Sequence, residues 1–220
     1  MMLNLFSGKS INVIRVLLVR HPKTWILRDL AAEAGVSLGQ AYKVSQALIR
    51  ERMAIRGSAR SELKLTDPAL LLKRWAAVNN FAACTEFIEF YTQEEEIDEF
   101  LKMFKGRDGP EYAFTGLAGA LLVSPFVRPT NIHLYVTDKD AANRWAKQLG
   151  IMPIEGSGNV KFAITKDHSI YYGAHEIDGL RVVSNIQLYV DLINYPARGE
   201  EAAGEVLKVI REQWLRERIR

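Results

Sequence analysis

Three observations predict an α+β chain in two parts. Helical periodicity over the first fifty residues gives way to short alternating segments just after them. Beyond residue 112, short β-type runs alternate with helical patterns, as in a mixed α/β domain. Charge divides the same way: residues 1–78 carry a net of +8 and residues 79–220 a net of −5. A basic N-terminal third on an acidic remainder suggests nucleic-acid binding at one end and another task at the other. The 220 residues, 48% hydrophobic and 25% charged, exclude a disordered or collagen-like chain. The longest apolar runs, such as 117–123, fall far short of the roughly 18–20 residues that span a bilayer. The apolar start is broken by Ser7, Gly8 and Lys9, so no signal-peptide core is expected and the cytoplasm is the expected location. Cys84 is the single cysteine, which excludes an internal disulfide and any zinc site built from two thiolates of one chain. Neither a metal nor a cofactor is expected.

The elements follow in order. Residues 10–20 place Val13, Ile14, Leu17 and Leu18 at helical spacing, and His21-Pro22 stops the run. A second helix over 26–34 turns Leu27, Leu30 and Ala31 inward and ends at Gly35, a residue suited to a left-handed turn. Ser37 and Gln40 form a capping-box pattern for a third helix reaching about residue 52, with Ala41, Val44 and Leu48 as its apolar stripe. Residues 53–56 and 62–65 then alternate as two short strands around a turn at 57–61. The helix, glycine turn and helix of residues 30–48 resemble the helix-turn-helix of bacterial and archaeal transcription factors, and the two strands extend that resemblance to a winged helix. In such a motif the N-terminal turns of the second helix face base edges in the major groove. The residues so placed are Ser37, Gln40, Tyr42, Lys43 and Gln46, beside Leu38 and Gly39. Glutamine can bond adenine through both ends of its amide, and Lys43 can reach guanine or a phosphate. Arg56, Arg60 and Lys64 on the strands and their turn are placed to contact phosphate or the minor groove.

Residues 1–78 thus read as a winged-helix DNA-binding domain, closed by a helix at 69–78 behind Thr66-Asp67-Pro68. Residues 79–111 read as a helical connector, with the acidic triplet Glu94-Glu95-Glu96 as a solvated helix start. Residues 112–220 read as the C-terminal domain. It holds a small-residue helix at 115–123, strands at 132–136, 160–164, 170–172 and 181–183, and helices at 138–149, from 185 and at 199–218. Asp138 and Ser184 are the expected caps, Ser184 with Gln187 as a second capping-box pattern.

Four stretches carry a wider resemblance: Tyr112-Ala113-Phe114-Thr115-Gly116-Leu117-Ala118, the strand 131–136, the run 183–192 containing Gln187-Leu188-Tyr189-Val190-Asp191-Leu192, and Pro196-Ala197-Arg198-Gly199-Glu200-Glu201. Together they resemble the AbiEi-like antitoxins of type IV toxin–antitoxin systems, over nearly the whole chain. The resemblance implies a winged helix joined to an antitoxin domain that has itself been likened to a nucleotidyltransferase fold. It implies repression of the protein's own operon through double-stranded operator DNA. It also implies neutralisation of a nucleotidyltransferase-like toxin, with no stable complex required. One winged helix reads a long site through a second copy, so self-association is in keeping with this role. No membrane partner is expected.

The residues do not spell out catalysis. A nucleotidyltransferase needs a Gly-Ser turn and two or three clustered carboxylates. Gly156-Ser157 precedes Asp167, but Ser169 stands where the second carboxylate belongs, and Asp138 and Asp140 fit a helix start better than a metal pair. Asp191 stands alone with Gln187 one turn before it. His21, His133, His168 and His175 form no two-histidine helical metal pattern, and no nucleophile elbow or phosphate loop is present. The chain is therefore expected not to be an enzyme. Two other readings stay open at this point: a ligand-responsive one-component regulator and a diverged nucleotidyltransferase.

Overall fold

A computed structural model describes residues 4–57 and 62–219. The chain divides into two compact units. The first takes residues up to Val78 together with those from Ile210 onward, and the second is Asn79–Val209.

The first unit begins with α1 (Lys9–Val19), whose Val13, Ile14, Val16, Leu17 and Leu18 are buried. Strand β1 (Trp25–Ile26) leads into α2 (Leu27–Glu33). Gly35 takes φ +61°, and the amides of Gly35 and Val36 bond back to the carbonyls of Ala32 and Ala31 at 3.1 and 2.9 Å. This left-handed closure satisfies carbonyls that the helix end leaves open, and a β-carbon there would be strained. Helix α3 (Leu38–Arg50) buries Ala41, Val44, Ala47 and Leu48. Strands β2 (Ala54–Arg56) and β3 (Glu62–Leu65) join β1 in an antiparallel sheet of order β1-β3-β2. Two residues are too few to register as a strand in the sequence, so β1 was not foreseen. Helix α4 (Pro68–Val78) opens with Asp67 accepting the Leu70 amide at 2.9 Å. Here Trp214, from the last helix of the chain, donates its ring N–H to the Leu18 carbonyl at 3.1 Å and sets its ring edge-on to His21.

The second unit starts with α5 (Phe81–Cys84), β4 (Glu86–Tyr91) and α6 (Ile97–Lys102). Then follow β5 (Tyr112–Thr115), α7 (Gly116–Val123), β6 (Ile132–Val136) and α8 (Lys139–Leu149). Strands β7 (Met152–Pro153) and β8 (Val160–Ile164), a 3-10 turn (His168–Tyr171), β9 (His175–Ile177) and β10 (Leu180–Val182) complete the sheet. Helices α9 (Asn185–Leu192) and α10 (Gly199–Ile219) end the chain. The seven strands form one mixed sheet in the order β7-β4-β8-β6-β5-β10-β9.

Register assigns the two faces of this sheet, because paired residues share a face and neighbours alternate. Tyr112, Phe114, Leu134, Phe162 and Phe90 lie on one face, where Trp145 of α8 and Phe104 stack against Tyr112 and Phe114. Thr115, His133, Tyr135, Lys161 and Phe87 lie on the other, beneath α5 and α9. Every residue of α9 is buried. Gly119 lets α7 come close: a β-carbon there would stand 2.9 Å from the Leu188 side chain and 3.2 Å from the Phe114 carbonyl.

Three expectations are corrected. Residues 79–111 are not a helical connector. Strand β4 is paired on both sides, with β8 and β7, which makes the segment an integral part of the second unit. Residues 170–172 are not a strand: Asp167 accepts the Ser169 amide at 3.0 Å and winds the chain into the 3-10 turn. The C-terminal boundary also differs, since the end of α10 belongs to the first unit.

Candidate nucleic-acid interface

Helix α3 owes its position to local chemistry. The Ser37 hydroxyl accepts the Gln40 amide at 3.2 Å, satisfying one orphan donor of the first turn. The Gln40 side chain does not complete a reciprocal box. Its amide donates instead to the Ser10 hydroxyl of α1 at 2.9 Å, tying the start of α3 to the core. The buried stripe leaves one outer arc. At about 100° per residue, Leu38, Tyr42, Gln46, Gly39 and Lys43 follow one another around roughly 140° of the helix. Tyr42 and Lys43 are exposed and Gln46 is half-buried.

The sequence-predicted residues therefore separate. Tyr42, Lys43 and Gln46 share the outer arc, with Ser37 exposed at its N-terminal edge. Gln40 is turned toward α1. On the strands, Lys64 is exposed and stands opposite Ile55 on the outer face of the sheet. Arg56 stands opposite Leu63, so it falls on the opposite face at the strand end. Strand alternation divides the two cations that the sequence grouped together. Arg60 lies outside the described residues. Leu38, half-exposed Ile26 and Ile55 add apolar surface beside these groups.

His21 lies in the same unit, 4% exposed. Burial, aided by the nearby charges of Arg218 and Lys64, lowers its pKa to about 4, so it is neutral at pH 7.

The second unit encloses one polar cluster. Asp191, 1% exposed, accepts hydrogen bonds from the Thr115 hydroxyl at 2.6 Å and the Tyr135 hydroxyl at 3.1 Å on one oxygen. The Gln187 amide donates to its other oxygen at 2.8 Å. Three of the four stretches that carry the family resemblance thus meet in one buried cluster: β5 supplies Thr115, β6 Tyr135, and α9 both Gln187 and Asp191. The Asp191–Gln187 contact follows from their spacing on a helix, whereas the two hydroxyls come from distant strands and left no sequence signal. Directly opposite Thr115, and two residues from Tyr135 on the same face, His133 sits among Phe81, Phe87 and Tyr195, and burial and Lys161 lower its pKa to about 4.

The carboxylates weighed for metal chemistry have local roles. Asp138 accepts the Ala141 amide at 2.7 Å and caps α8, which holds its carboxyl below the usual range. Asp167 caps the 3-10 turn, and Asp140 is exposed in the first turn of α8. Among the described residues, no group of three or more His, Cys, Asp or Glu side chains converges. Cys84 is exposed at the end of α5. No helix among the described residues is long and apolar enough to cross a membrane.

The fold and these two sites define a two-unit mixed α/β protein with an exposed helix face carrying Tyr42, Lys43 and Gln46 in one unit and a buried polar centre in the other. The family described as "Transcriptional regulator, AbiEi antitoxin, Type IV TA system" matches residues 64–216, and the chain belongs to it. Neither a curated protein nor a solved structure matches the chain. The family match covers the second unit and starts within β3, after helices α1 to α3. The reading of those helices rests on their own residues.

Proposed function

We propose that the first unit is a winged helix-turn-helix that binds operator DNA, and that the protein represses its own operon in the cytoplasm. The observation that carries this reading is the outer arc of α3: Tyr42, Lys43 and Gln46 side by side on a helix whose capped N-terminal turns face outward. The net charge of +8 over residues 1–78 supplies attraction to phosphates. Lys43 and Gln46 read base edges, and Lys64 meets the backbone. The second unit, with the acidic balance of residues 79–220, serves neutralisation of a nucleotidyltransferase-like toxin, as membership of the antitoxin family supports. It does so without catalysis: Asp138 and Asp167 are engaged in capping, and Asp191 is enclosed by its own donors.

The test is fluorescence anisotropy on the DNA upstream of the reading frame, beside a scrambled duplex, at two salt concentrations. Preferential binding with a steep salt slope supports the repressor role. In this assay Lys43→Ala relaxes sequence preference, by about 1–3 kcal/mol at one position. Lys64→Ala weakens both duplexes alike and reduces the salt slope by about one. Equal, weak binding to both duplexes, or specific binding untouched by Lys43→Ala, overturns the groove assignment.

A further inference from the structure

We infer that the protein recognises thymine methyl groups in the major groove through Leu38 and Tyr42, with Gly39 admitting the duplex to close range. This rests on the proposed DNA-binding reading and specifies the chemistry of its ligand.

Leu38 is 53% exposed and Tyr42 50% exposed. A single exposed leucine is ordinary. These two stand one turn apart, so their side chains are neighbours on one face. They form the apolar edge of the arc that continues through Gln46 to Lys43. A ligand complementary to this surface is anionic overall and apolar at discrete points. Duplex DNA has that combination: the thymine 5-methyl is the apolar group on the major-groove floor, and leucine and aromatic side chains can pack on it.

Gly39 is an independent observation. It lies in the arc between Gln46 and Lys43, in the first turn of α3, where alanine is the better helix former. Nothing in the fold requires glycine there. Its φ is not among the positive ones, and a β-carbon would meet only the Ser37 hydroxyl oxygen, at 4.0 Å. The missing side chain leaves space toward the outside, where the wall of the groove would pass. Contrast Gly119, whose neighbours inside the fold leave no room for a β-carbon.

The experiment uses the full chain and a duplex selected from a randomised pool. Each thymine of that duplex is replaced in turn by deoxyuridine, which keeps base pairing and removes only the methyl group. Burial of one such group predicts about a fourfold loss of affinity at each contacted thymine. Leu38→Ala or Tyr42→Ala shows a similar loss and no longer responds to deoxyuridine at its own position, whereas Lys43→Ala still does. Gly39→Ala keeps or raises the thermal midpoint and weakens binding at least tenfold. A selected site that tolerates deoxyuridine at every thymine, yet still beats scrambled DNA, overturns this inference and leaves the DNA-binding reading standing. Failure to enrich any site overturns both, and the Leu38–Tyr42 edge then belongs to a protein contact.

Discussion

The polar set described in each unit is disposed in the opposite way to the other. In the first, Tyr42, Lys43 and Lys64 stand outside, and the helix that carries two of them is fixed by a cap, an apolar stripe and the Gln40–Ser10 bond. In the second, Thr115, Tyr135, Gln187 and Asp191 face one another in the interior. An exposed set of donors is available to a ligand and adds little to stability. A buried set is costly to disturb and adds specificity to the fold. The same residue types therefore mean different things, and burial decides which.

The largest effect is expected at the buried centre. Asp191→Ala leaves three interior donors without their acceptor and should cost about 3–5 kcal/mol in urea unfolding. Asp191→Asn, which keeps an oxygen for the two hydroxyls, should cost clearly less. If both variants unfold at the wild-type midpoint, the cluster does not organise the second unit. Acid comes next, and it strikes both units: through His21 in the first, and in the second through His133 and, by burial again, His175. His21 and His133 have pKa values of about 4 when folded and an ordinary value near 6.5 when unfolded. Between those limits the unfolded chain binds more protons, so stability falls as the pH drops from about 6.5 toward 4. Each of His21 and His133 should contribute a loss of about 2 kcal/mol between pH 7 and pH 5. His133→Gln should remove its share of that slope; an unchanged slope would show that His133 is not the group titrating. The smallest effect is local to the exposed helix. Ser37→Ala removes the cap of α3 and should cost about 1 kcal/mol, a fall of roughly 2–4 °C in thermal midpoint.

Local signals were the legible ones. Ser37, Gly35 and the Ala41–Val44–Leu48 stripe announce α3 within residues 35–48, and the caps at Asp67, Asp138 and Ser184 sit where the sequence puts them. Strand β4 was hidden because it is apolar toward both layers. Phe87 packs toward His133 and Phe90 toward Phe162, so no two-residue alternation survives. Ile170-Tyr171-Tyr172 has strand-like composition, yet the Asp167 side chain bends the backbone first. In the candidate interface the outer arc was legible from helical spacing. Two things were not: Gln40 turning to Ser10, thirty residues away, and the register that sends Arg56 and Lys64 to opposite faces. Each depends on a partner whose place only the tertiary fold fixes.

The division of α10 has a consequence for synthesis on the ribosome. Trp214 completes the packing around Leu18 and His21, but it is translated only after the whole of the second unit. At 5–20 residues per second that interval is on the order of ten seconds. Throughout it the nascent chain carries α1 and His21 without that partner. The earlier-made unit is thus the later one to be finished, and order of birth and order of completion run opposite ways for these two units.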